Sequence, residues 1–300
     1  HDQYRFPGAT AAYVLPDGTV EVVSAGLADV EAKIPMIPQA RMLAASIGKT
    51  FVGATVLALV QEGLLELDDP IAKWLGERPW FSRLPNGDTV TLRQLLTHSS
   101  GIGDYVSAQG FQHAFGENWR APTNSFPPEE LIGFVLDQAP LFEAGAGWHY
   151  SDTGYLLVGL IIEAVTGNSY YEEVARRFLV PLQLVLTTPS DRRELSGLAA
   201  GYLAADNPFS LPGKTTLRPG VMAWHPGLEW TGGGLVSNPQ DLVVWARTLF
   251  TGRALQGQYL DALLQSVPIG DDAPGVSYGI GVGIRAKGPL GPTYGHAGWI

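Results

Sequence analysis

The chain has 300 residues and is rich in apolar side chains but poor in charge. Hydrophobic residues make up 45% of it and charged residues 16%, whereas about a quarter of an average globular chain is charged. This composition excludes an intrinsically disordered protein, because there is ample apolar surface to bury and little charge to oppose folding. The net charge of −10 also argues against sequence-independent binding to nucleic acid or to an anionic membrane surface.

The absence of cysteine excludes disulfides, thiolate metal sites and a cysteine nucleophile. It is consistent with a secreted or periplasmic protein, although a cytoplasmic location stays open. The longest apolar stretches, residues 51–60 and 155–162, are shorter than the roughly 20 residues that a membrane-spanning helix needs. The six histidines show no spacing typical of metal ligands. We therefore expect no membrane span, no metal and no cofactor.

The N-terminal segment has the pattern of a β-hairpin. Residues 9–15 and 19–27 are rich in β-forming residues and flank the turn sequence Pro16-Asp17-Gly18. Apolar spacing, capping residues and acidic first turns then predict a series of helices. These lie at about residues 46–63, 91–97, 152–165 and 241–250, with further helix starts near 68–70 and 127–130.

The C-terminal part returns to strand patterns after an irregular stretch. Residues 186–230 are rich in proline, glycine and tryptophan and have weak periodicity, which is typical of loops. Residues 278–285 and 292–299 alternate or run apolar like two antiparallel strands. Strands at both ends of the chain, with a helical block between them, predict an α+β fold.

We expect one domain over residues 1–300, in which an antiparallel sheet formed by both ends of the chain is flanked by helices. The sheet lobe would comprise residues 1–45 and about 190–300. A mainly helical lobe of about 46–190 would be inserted between them. A cleft between two such lobes commonly holds the functional site.

The first candidate site motif is Ser46-Ile47-Gly48-Lys49 at the start of an apolar helix. A spacing of three places the hydroxyl of Ser46 and the amine of Lys49 on one helical face. A serine becomes a useful nucleophile when a neighbouring base takes its proton, and a neutral lysine amine can be that base. Taken alone, the motif is weak, because Ser-x-x-Lys occurs by chance and a serine at a helix start is usually a cap.

Two further motifs lie far along the chain. Tyr150 lies just before the buried helix at 152–165, and Asp152 is at the start of that helix. A tyrosine beside a lysine ammonium would favour phenolate and could transfer a proton. The simpler interpretation is that Tyr150 is a core aromatic residue and that Asp152 caps the helix. His296 and Gly298 lie on a predicted strand, where Gly298 would allow close approach of a ligand. His296 could donate a hydrogen bond into the same pocket, or be an ordinary edge-strand histidine.

In this order and at these separations, the three motifs resemble those of the serine β-lactamase and penicillin-binding-protein superfamily, in particular its class C-like branch. That branch includes D-Ala-D-Ala carboxypeptidases, D-aminopeptidases and β-lactamase-fold esterases. Its motifs Ser-x-x-Lys, Tyr-x-Asn and Lys/His-x-Gly match Ser46/Lys49, Tyr150/Asp152 and His296/Gly298. Supporting segments are residues 41–67, LLTHSSG at 95–101 and GGGLVS at 232–237, so the resemblance covers most of 8–299.

The resemblance implies a β-lactamase/transpeptidase-like fold and an acyl-enzyme mechanism. Ser46 would attack a carbonyl carbon, Lys49 and Tyr150 would transfer protons, and the backbone amides of Ser46 and Trp299 would hold the oxyanion. Water or another nucleophile would then release the acyl group, without a metal. Of the many aromatic residues, we expect only Trp299 and Trp148 near the cleft. A turn or close-approach role is expected for the glycines at 232–234, rather than a phosphate loop.

The sequence departs from the family pattern at two positions that bear on substrate choice. Asp152 replaces the usual Asn, and an ionised carboxylate beside Lys49 would favour the ammonium form over the neutral base. Ala297 replaces a hydroxyl residue, which removes a donor to a substrate carboxylate. Arg285 on the neighbouring strand could partly replace that donor, or could be a solvated strand residue.

These departures favour a serine hydrolase acting on an ester, an amide or a D-amino-acid-containing peptide. The alternatives are a penicillin-interactive D-Ala-D-Ala carboxypeptidase or class C-like β-lactamase, and a non-catalytic acyl-binding sensor. The partner would be a small-molecule or peptide substrate. The sequence ends at Ile300, directly after the third motif, whereas relatives of the resembled family continue with further strands and a C-terminal helix. We therefore expect a continuation of the chain, or a second chain, to complete the sheet.

Overall fold

The structure is a computed structural model that describes residues 6–118, 125–203, 213–271, 273–289 and 291–299. Ile300 lies outside the described residues, and the predicted continuation of the sheet stays a prediction. None of the helices in the described ranges combines the length and apolar character needed to cross a membrane.

The strands of the described residues are short, apart from the first two. They are β1 (Gly8–Val14), β2 (Val20–Asp29), β3 (Ile34–Pro35), β4 (Met42–Leu43), β5 (Thr188–Pro189), β6 (Thr216–Arg218), β7 (Val221–Met222), β8 (Leu235–Ser237), β9 (Val267–Pro268), β10 (Val276–Tyr278), β11 (Gly283–Arg285) and β12 (Thr293–Gly295).

Helices occupy most of the middle of the chain. They are α1 (Lys49–Gln61), α2 (Ala72–Leu75), α3 (Leu92–Leu96), α4 (Gln109–Asn118), α5 (Pro128–Gly133), α6 (Asp152–Thr166), α7 (Tyr170–Val174), α8 (Trp230–Gly233), α9 (Pro239–Phe250) and α10 (Leu260–Leu264). The predicted helices at 46–63, 91–97, 152–165 and 241–250 correspond to α1, α3, α6 and α9. The exact boundaries of the two lobes stay a prediction.

The predicted N-terminal hairpin is confirmed. Strands β1 and β2 pair antiparallel with Val14 opposite Val20, and the Asp17 carboxylate accepts a hydrogen bond from the amide of Thr19 in the turn. This Asx-type contact is the reason that a Pro-Asp-Gly sequence reverses the chain here.

The strands form four separate hydrogen-bonded sheets, with orders β1-β2-β3, β12-β11-β10-β9, β4-β8-β5 and β6-β7. Within the described residues, no hydrogen-bonded strand pair joins the two ends of the chain, and one sheet formed by both ends stays a prediction. Helix α9 packs against both ends: it contacts β1 and β2, and its Phe250 ring packs 6.0 Å from Tyr294 of β12. Residues 278–285, expected as one strand, form the end of β10, a turn and β11, because Gly281 adopts a φ of +70°.

Helices α1 and α6 form the centre of the core. Both are apolar on nearly every face, and such helices are stable only when surrounded by other elements. Helix α6 contacts α1, α2, α3, α5 and α8. On α1, the Phe51 ring stacks 4.1 Å from Trp245 of α9, whose indole N–H donates to Thr50. The N-terminus of α1 is thereby held rigidly against the neighbouring elements.

Candidate active site

The chain enters α1 through a short 3₁₀ turn, Ala45–Gly48, rather than directly as an α-helix. Because residues three apart eclipse each other in a 3₁₀ turn, Ser46 and Lys49 are aligned more closely than the predicted α-helical spacing would give. Ala45 has a φ of +46°, a left-handed conformation that costs energy for a residue with a side chain. Ser46 itself is half-buried, so its hydroxyl is held at the surface of the core.

The glycine run at residues 232–234 packs closely against this turn. A Cβ on Gly233 would lie 2.4 Å from the carbonyl carbon of Ala45, and one on Gly48 would lie 3.0 Å from Gly233. The two backbones can approach this closely only because both positions lack side chains. The close-approach role predicted for the glycines at 232–234 is therefore confirmed.

Lys49 is fully buried and surrounded by acceptors. Its Nζ lies 3.1 Å from Ser46 Oγ and 2.5 Å from Asp152 Oδ1, and it also donates to the carbonyl oxygen of Gly232. An ammonium satisfies this arrangement with three donors. A neutral amine can keep the same three contacts, with two N–H donors to Asp152 and Gly232 and its lone pair towards the Ser46 hydroxyl.

Tyr150 also contacts the hydroxyl of Ser46. Its phenol donates to Ser46 Oγ over 2.7 Å, and its ring lies 4.8 Å from Lys49 Nζ. Burial, reinforced by the negative charge of Asp152, raises the pKa of Tyr150 well above its usual value. Burial, together with the charge of Asp152, therefore favours the protonated phenol over the expected phenolate.

The side chain of Asp152 is directed to Lys49 because another residue caps the helix. Ser151 is the N-cap of α6, and its hydroxyl accepts from the amide of Gly154. The simpler interpretation of Asp152 as the cap is thus wrong. The amide of Asp152 donates to the carboxylate of Asp104, and burial together with the charge of Asp152 raises the pKa of Asp104.

The third motif follows β12 and crosses directly beside the nucleophile turn. A Cβ on Gly298 would lie 2.3 Å from the carbonyl oxygen of Ala44 and 3.1 Å from the Cβ of Ala45. Gly298 therefore allows close approach of the chain to itself, where we had expected close approach of a ligand. Trp299 comes next, with its side chain 71% exposed at the mouth of a cavity that Ser46 also lines.

His296 has both ring nitrogens occupied. Nδ1 lies 2.6 Å from the carbonyl oxygen of Ala297, which can only accept, so Nδ1 carries the proton and Nε2 accepts from the Tyr278 hydroxyl over 2.7 Å. Burial lowers the pKa of His296 to about 4, which keeps the ring neutral. The expectation that His296 donates into the pocket is wrong in this arrangement, in which it supports Tyr278.

A separate groove of about 360 Å³ lies on the far side of Tyr150. Arg285 and Trp148 line it together with His296 and Tyr278. Arg285 is exposed at the end of β11. The structure thus brings Arg285 near Tyr150 but not into the cavity lined by Ser46, and its contact with a substrate carboxylate stays a prediction.

The cavity at Ser46 contains several residues that the motifs did not reveal. Its volume is about 130 Å³, and four aromatic side chains besides that of Trp299 contribute to its wall. They are Tyr105, Phe111, Phe115 and Trp224. The expectation that only Trp148 and Trp299 approach the cleft is wrong, because α4 and the loop before α8 bring distant aromatics together.

His98, in the LLTHSSG segment, was also missed as a site residue. Its ring centre lies 4.2 Å from that of Tyr150, and its Nδ1 accepts from the amide of Ser151. Burial, with the nearby charge of Lys49, lowers the pKa of His98 far below its usual value, so the ring is neutral. Its φ of +59° marks a constrained loop that holds the Tyr150 segment in place.

Within the described ranges, no three His, Cys, Asp or Glu side chains come together in a group that could hold a metal ion.

Comparison with known proteins agrees with this geometry. The family model described as Beta-lactamase matches residues 1–300. The chain belongs to the beta-lactamase family. The resemblance and the α+β fold class inferred from the sequence are thereby confirmed.

Two similar solved structures within the family are amidases. A D-stereospecific amidohydrolase from Streptomyces sp. is 30% identical, with a TM-score of 0.83 over 98% of this chain and 83% of that chain. A D-amino acid amidase from Ochrobactrum anthropi SV3 in complex with L-phenylalanine is 25% identical, with a TM-score of 0.82 over 100% of this chain and 82% of that chain.

Penicillin-binding protein 4* of Bacillus subtilis (strain 168) is a further relative. It is 28% identical over 60% of this chain and 38% of its own length. The match thus spans little more than a third of that protein.

The close contact at Gly298 predicts a large effect of a single methyl group. We expect Gly298→Ala to lower kcat/KM by about 10- to 100-fold, because displacing the family's third motif moves Trp299 away from Ser46. Gly133→Ala is the matched control, since a Cβ there meets nothing within 4 Å. Steady-state kinetics and thermal melting of both variants test this, and normal kcat/KM in Gly298→Ala would contradict it.

Asp152 predicts a specific pH dependence. Asp152→Asn removes the negative charge 2.5 Å from Lys49 Nζ, which makes the ammonium less favourable and the neutral amine more abundant at a given pH. We expect the acidic limb of the kcat/KM profile to move to lower pH. The exposed Asp88→Asn variant should keep the original profile. An unchanged rate and pH profile in Asp152→Asn would refute the idea.

Proposed function

We propose that this protein is a serine hydrolase that forms an acyl-enzyme on Ser46 with an ester, an amide or a D-amino-acid-containing peptide. The observation that carries the proposal is the pair of contacts on one hydroxyl: Lys49 Nζ at 3.1 Å and Tyr150 OH at 2.7 Å from Ser46 Oγ. A base and a proton donor that both contact a half-buried serine hydroxyl are what acyl transfer requires.

The reaction begins with the neutral amine of Lys49. The amine takes the proton of Ser46 as Oγ bonds to the substrate carbonyl carbon, and the carbonyl electrons move to its oxygen. In this proposal the amides of Ser46 and Trp299 hold that oxyanion. The carbon–leaving-group bond then breaks, and the leaving group receives a proton from the Tyr150 hydroxyl, which is re-protonated from Lys49. Water repeats the sequence on the acyl ester and regenerates Ser46.

The environment of Ser46 favours an amide or ester substrate over a β-lactam. The segment after β12 has Ala297 where a hydroxyl could bind a substrate carboxylate, and the cavity carries the acidic residues Asp152 and Glu229. The similar structures named as D-stereospecific amidohydrolase and D-amino acid amidase support the same substrate class.

A second candidate is an acyl-binding sensor that turns over slowly. The observation in its favour is the contact between Lys49 and Asp152, which stabilises the ammonium form and so opposes the base. A secreted or periplasmic location stays a prediction for either function.

The test combines intact mass and turnover. A fluorophosphonate should add one adduct, which peptide mapping should place on Ser46, and a chromogenic ester or anilide should be hydrolysed steadily. One adduct without steady turnover would favour the sensor. Hydrolysis or trapping of benzylpenicillin in preference to the anilide would favour the carboxypeptidase or β-lactamase alternative, and no adduct would contradict an activated Ser46.

A further inference from the structure

The cavity beside Ser46 has the size and the walls of a binding site for one apolar ring. Its volume is about 130 Å³, close to that of an engineered apolar cavity of about 150 Å³ that binds benzene. The Tyr105 and Phe111 rings meet edge to face at 5.0 Å, and the Phe115 ring lies 6.4 Å from Trp224. This packed aromatic wall is suited to an apolar side chain on the acyl group.

One acidic residue interrupts that wall. Glu229 lines the cavity with Ser46 and Asp152, and its Oε2 is buried with no hydrogen-bond partner among the described residues. Burial, with the charge of Asp152 added, raises the pKa of Glu229 to about 8. An unpaired carboxyl in an apolar pocket is costly, and a donor from a ligand would offset that cost.

The local backbone holds this carboxyl in place. Glu229 ends the 3₁₀ turn Pro226–Glu229, and the next residue, Trp230, has a φ of +34°. Such a conformation is strained for a tryptophan and persists only where the surrounding structure imposes it. Strained backbone of this kind concentrates at functional sites.

The charges around the cavity favour a cationic ligand. Asp152 lines the cavity and is already paired with Lys49, and burial together with the charge of Asp152 keeps Glu229 largely protonated near neutral pH. A substrate carboxylate at this position would add a second negative charge beside Asp152. A substrate ammonium would favour the ionised carboxylate of Glu229 and would supply the hydrogen-bond donor that Oε2 lacks.

We infer that Glu229 is the specificity-determining residue that binds the ammonium group of the acyl part of the substrate, so that the preferred substrates are amides or esters of amino acids with a free amine and a ring-sized apolar side chain. This inference rests on the proposed acyl transfer at Ser46. It specifies the chemistry of the acyl group, which Ser46 and Lys49 do not determine.

The test uses three p-nitroanilides with the same phenyl side chain. Those of D-phenylalanine and L-phenylalanine differ in the configuration at Cα, and that of 3-phenylpropanoic acid has no amine. We expect the wild type to hydrolyse the better phenylalanine enantiomer at least about 10-fold more efficiently than the amine-free analogue. Glu229→Gln should lower kcat/KM for the phenylalanine substrate by about 10- to 100-fold and leave that for the analogue within about 2-fold. The exposed Glu130→Gln is the matched control and should keep the wild-type preference.

The possible results separate the inference from the proposed function. An equal loss of kcat/KM on all three substrates in Glu229→Gln would indicate a structural role for Glu229. An unchanged preference for the phenylalanine substrate would show that the substrate amine binds elsewhere. Either result overturns the inference and leaves the proposed acyl transfer at Ser46 unaffected. A wild type that prefers the amine-free analogue overturns it as well. A wild type that hydrolyses none of the three and gains no fluorophosphonate adduct contradicts the proposed function itself.

Discussion

Ser46→Ala is expected to abolish turnover and fluorophosphonate labelling together. The side chain of Ser46 is the acceptor that Tyr150 and Lys49 share, and alanine leaves both groups without the atom on which they act. Removing the nucleophile of a serine hydrolase that uses covalent catalysis costs about 10⁶-fold in kcat. We expect a loss of at least about 10⁴-fold here, measured with the best chromogenic substrate and by intact mass.

The control for this variant is a serine outside the site. Ser196 is exposed, and Ser196→Ala should keep both activity and labelling. Folding should be unaffected in Ser46→Ala, because the nucleophile is only half-buried. If Ser46→Ala retained the adduct at another serine, the assignment of the nucleophile would be wrong.

Lys49→Met is expected to lose both activity and stability. Methionine has a similar length but no amine, so no base remains beside Ser46, and kcat should fall by at least about 10³-fold. The same change leaves Asp152 without its partner at 2.5 Å. Breaking a buried ion pair by removing one member costs about 3–5 kcal/mol in the free energy of unfolding. Because Asp152 keeps 20% side-chain exposure, we expect the lower end of that range.

A double variant separates these two roles of Lys49. Lys49→Met with Asp152→Asn removes both charges, so much of the lost stability should return, whereas activity should stay absent. Urea unfolding and steady-state kinetics on the two variants measure the two effects. Equal instability of the single and double variants would show that the unpaired carboxylate is not the cause, and an active single variant would exclude Lys49 as the base.

The sequence was informative where local patterns decide local structure. The Pro-Asp-Gly turn, the capped helix α3 and the apolar helices α1 and α6 all follow from signals within one segment. The pairing of the chain ends was not predictable in the same way. Hydrogen bonding between strands depends on which edges meet, and within the described residues the first and last strands belong to separate sheets.

The candidate site shows the same distinction between features set by local sequence and features set by long-range packing. Ser46, Lys49 and Tyr150 are recognisable because acyl transfer demands particular residue types at particular spacings. Their surroundings depend on residues from distant parts of the chain: Asp152 lies 2.5 Å from Lys49 Nζ, and Lys49 also donates to the carbonyl oxygen of Gly232. Charge and hydrogen bonding across segments cannot be derived from spacing along one segment.

The sequence by itself therefore determined the family, the fold class and the three motifs, since each depends on residue type and order. Only the tertiary structure decided that a 3₁₀ turn aligns Ser46 with Lys49, that Gly298 packs against Ala44, and that an aromatic cavity with Glu229 in its wall lies beside the nucleophile. The physical reason is that a cavity is defined by side chains that meet from distant parts of the chain, and its charge balance exists only once they are buried together.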